Sequence, residues 1–190
     1  MIIGITGFKQ SGKSTIATYL KENYGFYVVN FADPIKEICK VLFNWADEHV
    51  NGSLKEIVDP RWGISPRHAL QVIGTEIGQV YFCEAFPEFK TLVGRQLWVK
   101  LAEYKIESLK DQFTKIAIGD VRFPHESYLF QKPGNMLWRV CRNSTYDPSD
   151  LHESEIHIPH LPADVQIDNN GNYESLFSQI DYFIAGYKTR

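Results

Sequence analysis

The sequence predicts a three-layer α/β fold on a five-stranded, mainly parallel sheet, and three observations carry that expectation. Short apolar, β-prone runs occur at Met1 to Ile5, Phe26 to Phe31, Ile116 to Asp120, Met136 to Arg142 and Asp164 to Asp168. Between them lie longer segments with apolar residues at helical spacing, the alternation that builds a parallel sheet covered by helices. The first run passes directly into Gly7-Phe8-Lys9-Gln10-Ser11-Gly12-Lys13-Ser14. A glycine, four residues and Gly-Lys-Ser between a strand and a helix is the phosphate-binding P-loop pattern.

The residues of this loop suit a dense negative charge. Gly7 and Gly12 permit backbone conformations that aim successive N–H groups at phosphate oxygens, and the helix that starts near Lys13 adds its N-terminal dipole. Lys13 is expected to reach the β- and γ-phosphates, and the Ser14 hydroxyl to ligate the Mg²⁺ that bridges them. Lys9, Ser11 and Thr15 belong to the same triphosphate-binding set. Ile16, Ala17, Leu20 and Tyr24 give the helix its apolar face, and Gly25 stops it.

The second strand ends in Ala32-Asp33-Pro34, followed by a helix with Ile35, Ile38, Cys39, Leu42 and Phe43 on one face. Asp33 reads in two ways, as an N-cap ahead of a proline and as a ligand-facing carboxylate at a strand's carboxyl end. Residues 44–64 read as irregular, with turns at Asn51-Gly52 and Asp59-Pro60. Ser65-Pro66 opens a helix running to about Phe82. Leu70, Ile73, Ile77, Val80 and Tyr81 are expected on its apolar side, and Arg67, Gln71, Gly74, Thr75 and Gly78 on the other. Arg67 in the first turn is suited to a phosphate. The glycines cost helix stability, so they imply close approach of a ligand or of another element.

A further helix is expected over 90–108, with Trp98 in the core. The third sheet run ends in Asp120, placed to hold Mg²⁺ or its water, and Arg122 two positions on is suited to a phosphate. Residues 143–163 form a polar, proline-punctuated segment with the character of a lid. Its histidines, His152, His157 and His160, miss the His-Glu-x-x-His zinc spacing. Arg139 and Arg142 at the lid's edge are candidates to cover the transferring group. Asn169-Asn170-Gly171 makes a turn before a last helix, Tyr173 to Tyr187.

One domain over 1–190 is expected, with 34–108 as its helical acceptor-binding region. A net charge of -3 gives no basic signature for duplex nucleic acid. The three cysteines, Cys39, Cys83 and Cys141, are widely spaced and read as free thiols of a reducing compartment. No run approaches the ~20 apolar residues of a membrane span, and the amino terminus lacks the features of a signal peptide. The expectation is a cytoplasmic protein, a monomer or homodimer, acting on small molecules.

Beyond spacing, five groups of residues resemble the deoxynucleoside monophosphate kinases of the phage type. They are Gly7 to Thr15, Phe31-Ala32-Asp33-Pro34-Ile35-Lys36, the Pro66 to Glu76 set (Pro66, Arg67, Leu70, Gln71, Gly74, Thr75, Glu76), Asp120 to Pro124 with Glu126, and His152 with Ser154-Glu155. The resemblance implies the nucleoside monophosphate kinase fold and transfer of the γ-phosphoryl group of ATP to a deoxynucleoside monophosphate. It places Asp33, Arg67, Gln71, Arg122 and Glu126 around the acceptor; Thr75 and Asp120 are further substrate-binding candidates, and His152 is a candidate in the lid. Two positions depart from the pattern, Gln79 in place of an arginine and His125 in place of an asparagine. The last strand with Asn169 also looks like dephospho-coenzyme A kinases, which puts Asn169 with the ATP-binding residues. That relative, and a P-loop switch that transfers no phosphate, are the alternatives.

Overall fold

Five strands, β1 (Ile2–Thr6), β2 (Tyr27–Val29), β3 (Ile116–Val121), β4 (Met136–Cys141) and β5 (Val165–Asp168), form one parallel sheet in the order β2-β3-β1-β4-β5. The computed structural model describes residues 1–143 and 153–187. Two compact units are present, Met1–Asn30 with Ile106–Arg190, and Phe31–Lys105.

The first unit holds the sheet. Helix α1 (Lys13–Tyr24) follows β1 and ends at Gly25, whose φ of 70° is the left-handed conformation that stops a helix. Ile3 and Ile5 of β1 join Ile16, Ala17 and Leu20 of α1, Trp138 and Val140 of β4, and Leu176, Ile180 and Ile184 of the carboxyl-terminal helix (Tyr173–Tyr187) in one buried cluster. On the other face of β1, a β-carbon at Gly4 would overlap the Phe130 ring. Both faces of the central strand are therefore covered, which is why it reads as a continuous apolar run instead of an alternating one. β2 is shorter than the expected Phe26 to Phe31.

The second unit is helical. Helix α2 (Asp33–Phe43) buries Ile35 and Cys39 but leaves Ile38 and Leu42 exposed, so its apolar face is narrower than expected. Ala32 occupies the cap position and Asp33 is the first helical residue. Asp33 is thus not an N-cap; it is a first-turn carboxylate, favoured there by the helix dipole. The stretch expected to be irregular carries helix α3 (Asp47–Asn51) and a 3₁₀ turn, Ser53–Glu56. Its organising group is Asp59, which accepts hydrogen bonds from Trp45 Nε1 (2.7 Å), the Arg61 amide (2.9 Å) and Arg61 Nη2 (2.7 Å). The Arg61 guanidinium, ahead of the Trp45 bond, holds this carboxyl well below the usual carboxylate range.

The helix opened by Ser65-Pro66 changes register along its length. Helix α4 (Pro66–Gln71) passes into a π-helix, Val72–Tyr81, and then into helix α5 (Phe82–Ala85). Ser65 caps it by accepting from the His68 amide. The wider π turn rotates the second half relative to an α-helix. Ile73, Gly74, Thr75, Gly78 and Gln79 are buried, whereas Ile77, Val80 and Tyr81 are exposed, Tyr81 by 59%. The expected apolar side is therefore reversed beyond Ile73. The single helix expected over 90–108 is three pieces, α6 (Pro87–Leu92), a 3₁₀ turn (Gly94–Gln96) and α7 (Leu97–Leu109).

Candidate active site

The P-loop lies between β1 and α1, in the first unit. Gly7, Gln10 and Gly12 have φ of 149°, 63° and 103°, values that glycine tolerates and that strain Gln10. The Lys13 ammonium donates to the carbonyls of Gly7 and Phe8, both at 2.6 Å. Arg142 Nη1 donates to the Gln10 carbonyl at 3.4 Å, and Asn169 Nδ2 to the Ser11 carbonyl at 2.7 Å. The carbonyls of Gly7, Phe8, Gln10 and Ser11 thus have side-chain donors, and this orients peptide units so that an anion can be received on the opposite side. Ser14 is exposed and Thr15 half-buried in the first turn of α1, while Lys9 is half-buried and Ser11 buried. The Ser11 hydroxyl is a buried group without a hydrogen-bond partner, a donor inside the loop itself.

The edge of β3 lies beside the loop. Val121 pairs with Thr6, the residue before Gly7, so Asp120 and Arg122 leave the sheet next to the phosphate-binding turn. Arg122 Nη1 donates to Glu155 Oε1 at 3.0 Å, an acidic partner that steadies the guanidinium. Glu126 has a different place from the one expected at the acceptor. It is 4% exposed, and its Oε2 accepts from the backbone amides of Arg122 (2.6 Å) and Phe123 (2.9 Å). The carboxylate caps the short helix α8 (Pro124–Ser127) from its third position. Burial pushes the Glu126 carboxyl up to about 8 against the pull of these two amides.

Of the lid candidates, Arg142 reaches the P-loop as described. Arg139 does not reach outward; it is opposite Thr6 in register on β4 and donates to the Leu161 carbonyl. His152 lies outside the described residues. The described part of the lid-like segment, with helix α9 (Glu153–Ile156) and a 3₁₀ turn (Ile158–His160), is anchored through the buried Ile158 and Leu161. Among the described residues no group of His, Cys, Asp and Glu could by itself hold a metal ion. The three cysteines are free thiols.

In the second unit, Arg67 and Gln71 are half-buried on α4, and Arg67 Nε donates to Glu56 Oε1 at 2.7 Å. Thr75 is buried one turn on. Gly78 serves packing, because a β-carbon there would overlap the Trp98 ring. The Trp98 indole donates to the Gly74 carbonyl at 2.7 Å. Trp98 is therefore core, as expected. Gln79, the position that departs from the arginine pattern, is 2% exposed and its Oε1 accepts from Arg95 Nη2 at 3.4 Å. Arg95 was not singled out by sequence reasoning, and Glu155 entered it only as a member of the His152, Ser154-Glu155 group, with no role of its own. For Glu155 the signal was its place beside His152 and Ser154; Arg95 left none, since only the fold brings it to Gln79.

A P-loop between the first strand and first helix of a parallel 2-3-1-4-5 sheet, with Asp120 and Arg122 at the neighbouring strand's carboxyl end, defines a P-loop nucleotide-binding protein. The structure of TT1252 from Thermus thermophilus shares the fold, with a TM-score of 0.50 at 16% identity over 98% of this chain and 97% of that one. Residues 43–180 match the family model for deoxynucleotide monophosphate kinase. A protein of Acanthamoeba polyphaga mimivirus that carries this name provisionally is 34% identical over 95% of the chain and 94% of its own length. The deoxynucleotide monophosphate kinase of Escherichia phage RB69 is 27% identical over 65% of the chain and 46% of its own length. The chain belongs to the deoxynucleotide monophosphate kinase family. Family membership makes ATP a substrate, and among the described residues no helix is long and apolar enough to cross a membrane.

Proposed function

We propose that this chain transfers the γ-phosphoryl group of ATP to a deoxynucleoside monophosphate. The observation that carries the reading is the P-loop, Gly7 to Thr15, with its carbonyls drawn aside by Lys13, Arg142 and Asn169, in a member of this kinase family. The acceptor phosphate is already an anionic nucleophile, so no general base is needed, and catalysis is positioning and charge neutralisation. On binding ATP, the Lys13 ammonium exchanges two carbonyls for β- and γ-phosphate oxygens. Arg122, held by Glu155, is assigned to the acceptor phosphate. Asp33, Arg67, Gln71 and Thr75 are assigned to acceptor binding.

The residues fit Mg²⁺ carried by the nucleotide. The Ser14 hydroxyl is exposed beside the loop, and Asp120 stands half-buried at the adjoining strand end; a metal that brings phosphate oxygens and water needs only one or two protein ligands. When bound, it would draw charge off the β- and γ-phosphates. The free thiols are in keeping with a cytoplasmic setting.

The test is ADP release from MgATP on addition of each deoxynucleoside monophosphate in turn. Stimulation by one or more is expected. Release stimulated only by dephospho-coenzyme A, or by no acceptor at all, would overturn the proposal.

A further inference from the structure

Asn169 follows β5, 158 positions along the chain from Ser11, yet its side chain is built into the P-loop. Only the NH₂ group of its amide can face a carbonyl, so the 2.7 Å approach to the Ser11 oxygen fixes the amide's orientation with Nδ2 inward. The same Nδ2 fills the space where a β-carbon on Gly12 would stand. Gly12 is therefore required twice, by its φ of 103° and by Asn169.

Asn169 is itself firmly held. Its amide donates to the Cys141 carbonyl at 2.8 Å, extending the β4–β5 ladder by one bond. The preceding residue, Asp168, is bracketed by Gln179 of the last helix, which accepts from its amide at 3.0 Å and donates to its carbonyl at 2.9 Å. Asn170 accepts from the Asn143 amide at 2.9 Å. A side chain so anchored can impose a conformation on a loop that carries strain at Gln10.

We propose that Asn169 is a positioning residue for the phosphate-binding loop, acting on the triphosphate through the Ser11 carbonyl and Gly12, and not a contact for the nucleoside. Turning the Ser11 carbonyl toward Asn169 turns the peptide N–H of Gly12 the opposite way, to the side where phosphate is received. Arg142 holds the preceding peptide at its Gln10 carbonyl, and the N–H of that peptide, on Ser11, donates to the Phe8 carbonyl at 3.1 Å within the loop. The inference rests on the proposal that Gly7 to Thr15 hold a triphosphate, and it deepens that reading by separating phosphate affinity from nucleoside affinity.

The experiment uses the full chain, with titration calorimetry against two probes, inorganic tripolyphosphate with Mg²⁺ and adenosine. Asn169→Ala is expected to weaken tripolyphosphate binding about 10-fold, the scale of one lost hydrogen bond with its oriented peptide, and to leave adenosine binding unchanged. Asn169→Asp keeps the shape but sets a carboxylate against the Ser11 carbonyl, and it should lose at least as much. Should the alanine variant unfold, the aspartate variant carries the test alone. In turnover, the KM for ATP should rise while the KM for the acceptor stays constant. Unchanged tripolyphosphate affinity in both variants, or a loss confined to adenosine, overturns the positioning role. Absence of tripolyphosphate binding by the unaltered chain overturns the triphosphate site itself, and the inference with it.

Discussion

Lys13 shows how a loop's own backbone can position a buried cation. Its ammonium is buried against two carbonyls of its own loop, at 2.6 Å each, whose dipoles solvate the charge in place of water. Lys13→Ala is expected to lower turnover by at least about 10²-fold, the usual consequence of removing one charge-stabilising donor, with little change in the far-ultraviolet spectrum. A coupled ADP assay decides it, and near-normal turnover would refute the assignment. Glu126 makes a different prediction at this scale. Its folded carboxyl titrates near 8, above its ordinary value, because burial outweighs the Arg122 and Phe123 amides, with Asp120 adding to the rise and the Arg122 guanidinium opposing it. The raised value means that the protonated form is favoured in the fold. The contribution is therefore fully present below about pH 4.5 and is lost as the pH rises toward and through 8, with a slope of up to about 1.4 kcal/mol per pH unit. Glu126→Gln keeps an oxygen for the two amides and removes the titration. Urea unfolding at a series of pH values should show that slope in the natural chain and not in the variant; parallel profiles would exclude it.

At the scale of the element, the π-helix Val72–Tyr81 is the feature that local sequence could not disclose. Its register leaves the Gly74 carbonyl to the Trp98 indole, and it needs Gly78 to make room for the same ring. Gly78→Ala would raise intrinsic helix propensity by roughly 1 kcal/mol, but overpacking the indole costs roughly 1–3 kcal/mol or more. Net destabilisation is expected, measured by chemical unfolding, and a stabilised variant would show that the ring yields freely. The strands and the P-loop were legible because their signals are local: apolar runs bounded by turns, and a glycine-rich loop between strand and helix. The α4 register was legible only as far as Ile73. Beyond it a residue 24 positions away sets the backbone, so a 3.6-residue period assigned Ile77, Val80 and Tyr81 to the wrong side. Glu126 and Arg139 escaped for a related reason. A charged residue in a motif reads as a ligand contact, while its use as a helix cap or as a donor to the Leu161 carbonyl depends on where the chain turns next. Arg67 and Gln71 lie on α4 as expected, and Asp33 lies in the first turn of α2 instead of at its cap.

At the scale of the whole molecule, the division into two units bears on how ligands alter stability. The P-loop, Asp120 and Arg122 belong to the unit that contains the sheet, and the Arg67 stripe belongs to the other. A ligand stabilises only the part of the native structure whose opening destroys its site, by RT ln(1 + [L]/Kd), or about 2.7 kcal/mol at a hundred times Kd. MgATP at that concentration should therefore slow exchange of the β1 and β3 amides about 100-fold wherever their opening disrupts the P-loop. Amides of α2 and the π-helix that open within their own unit should gain less. The Lys13→Ala variant should lose most of the effect at the same ATP concentration, which separates triphosphate binding from general stabilisation by magnesium or salt. Native-state hydrogen exchange resolved by mass spectrometry reads both units in one experiment. Equal protection of the two units by ATP would mean that they open together, and no protection of β1 and β3 would remove the triphosphate site from Gly7 to Thr15.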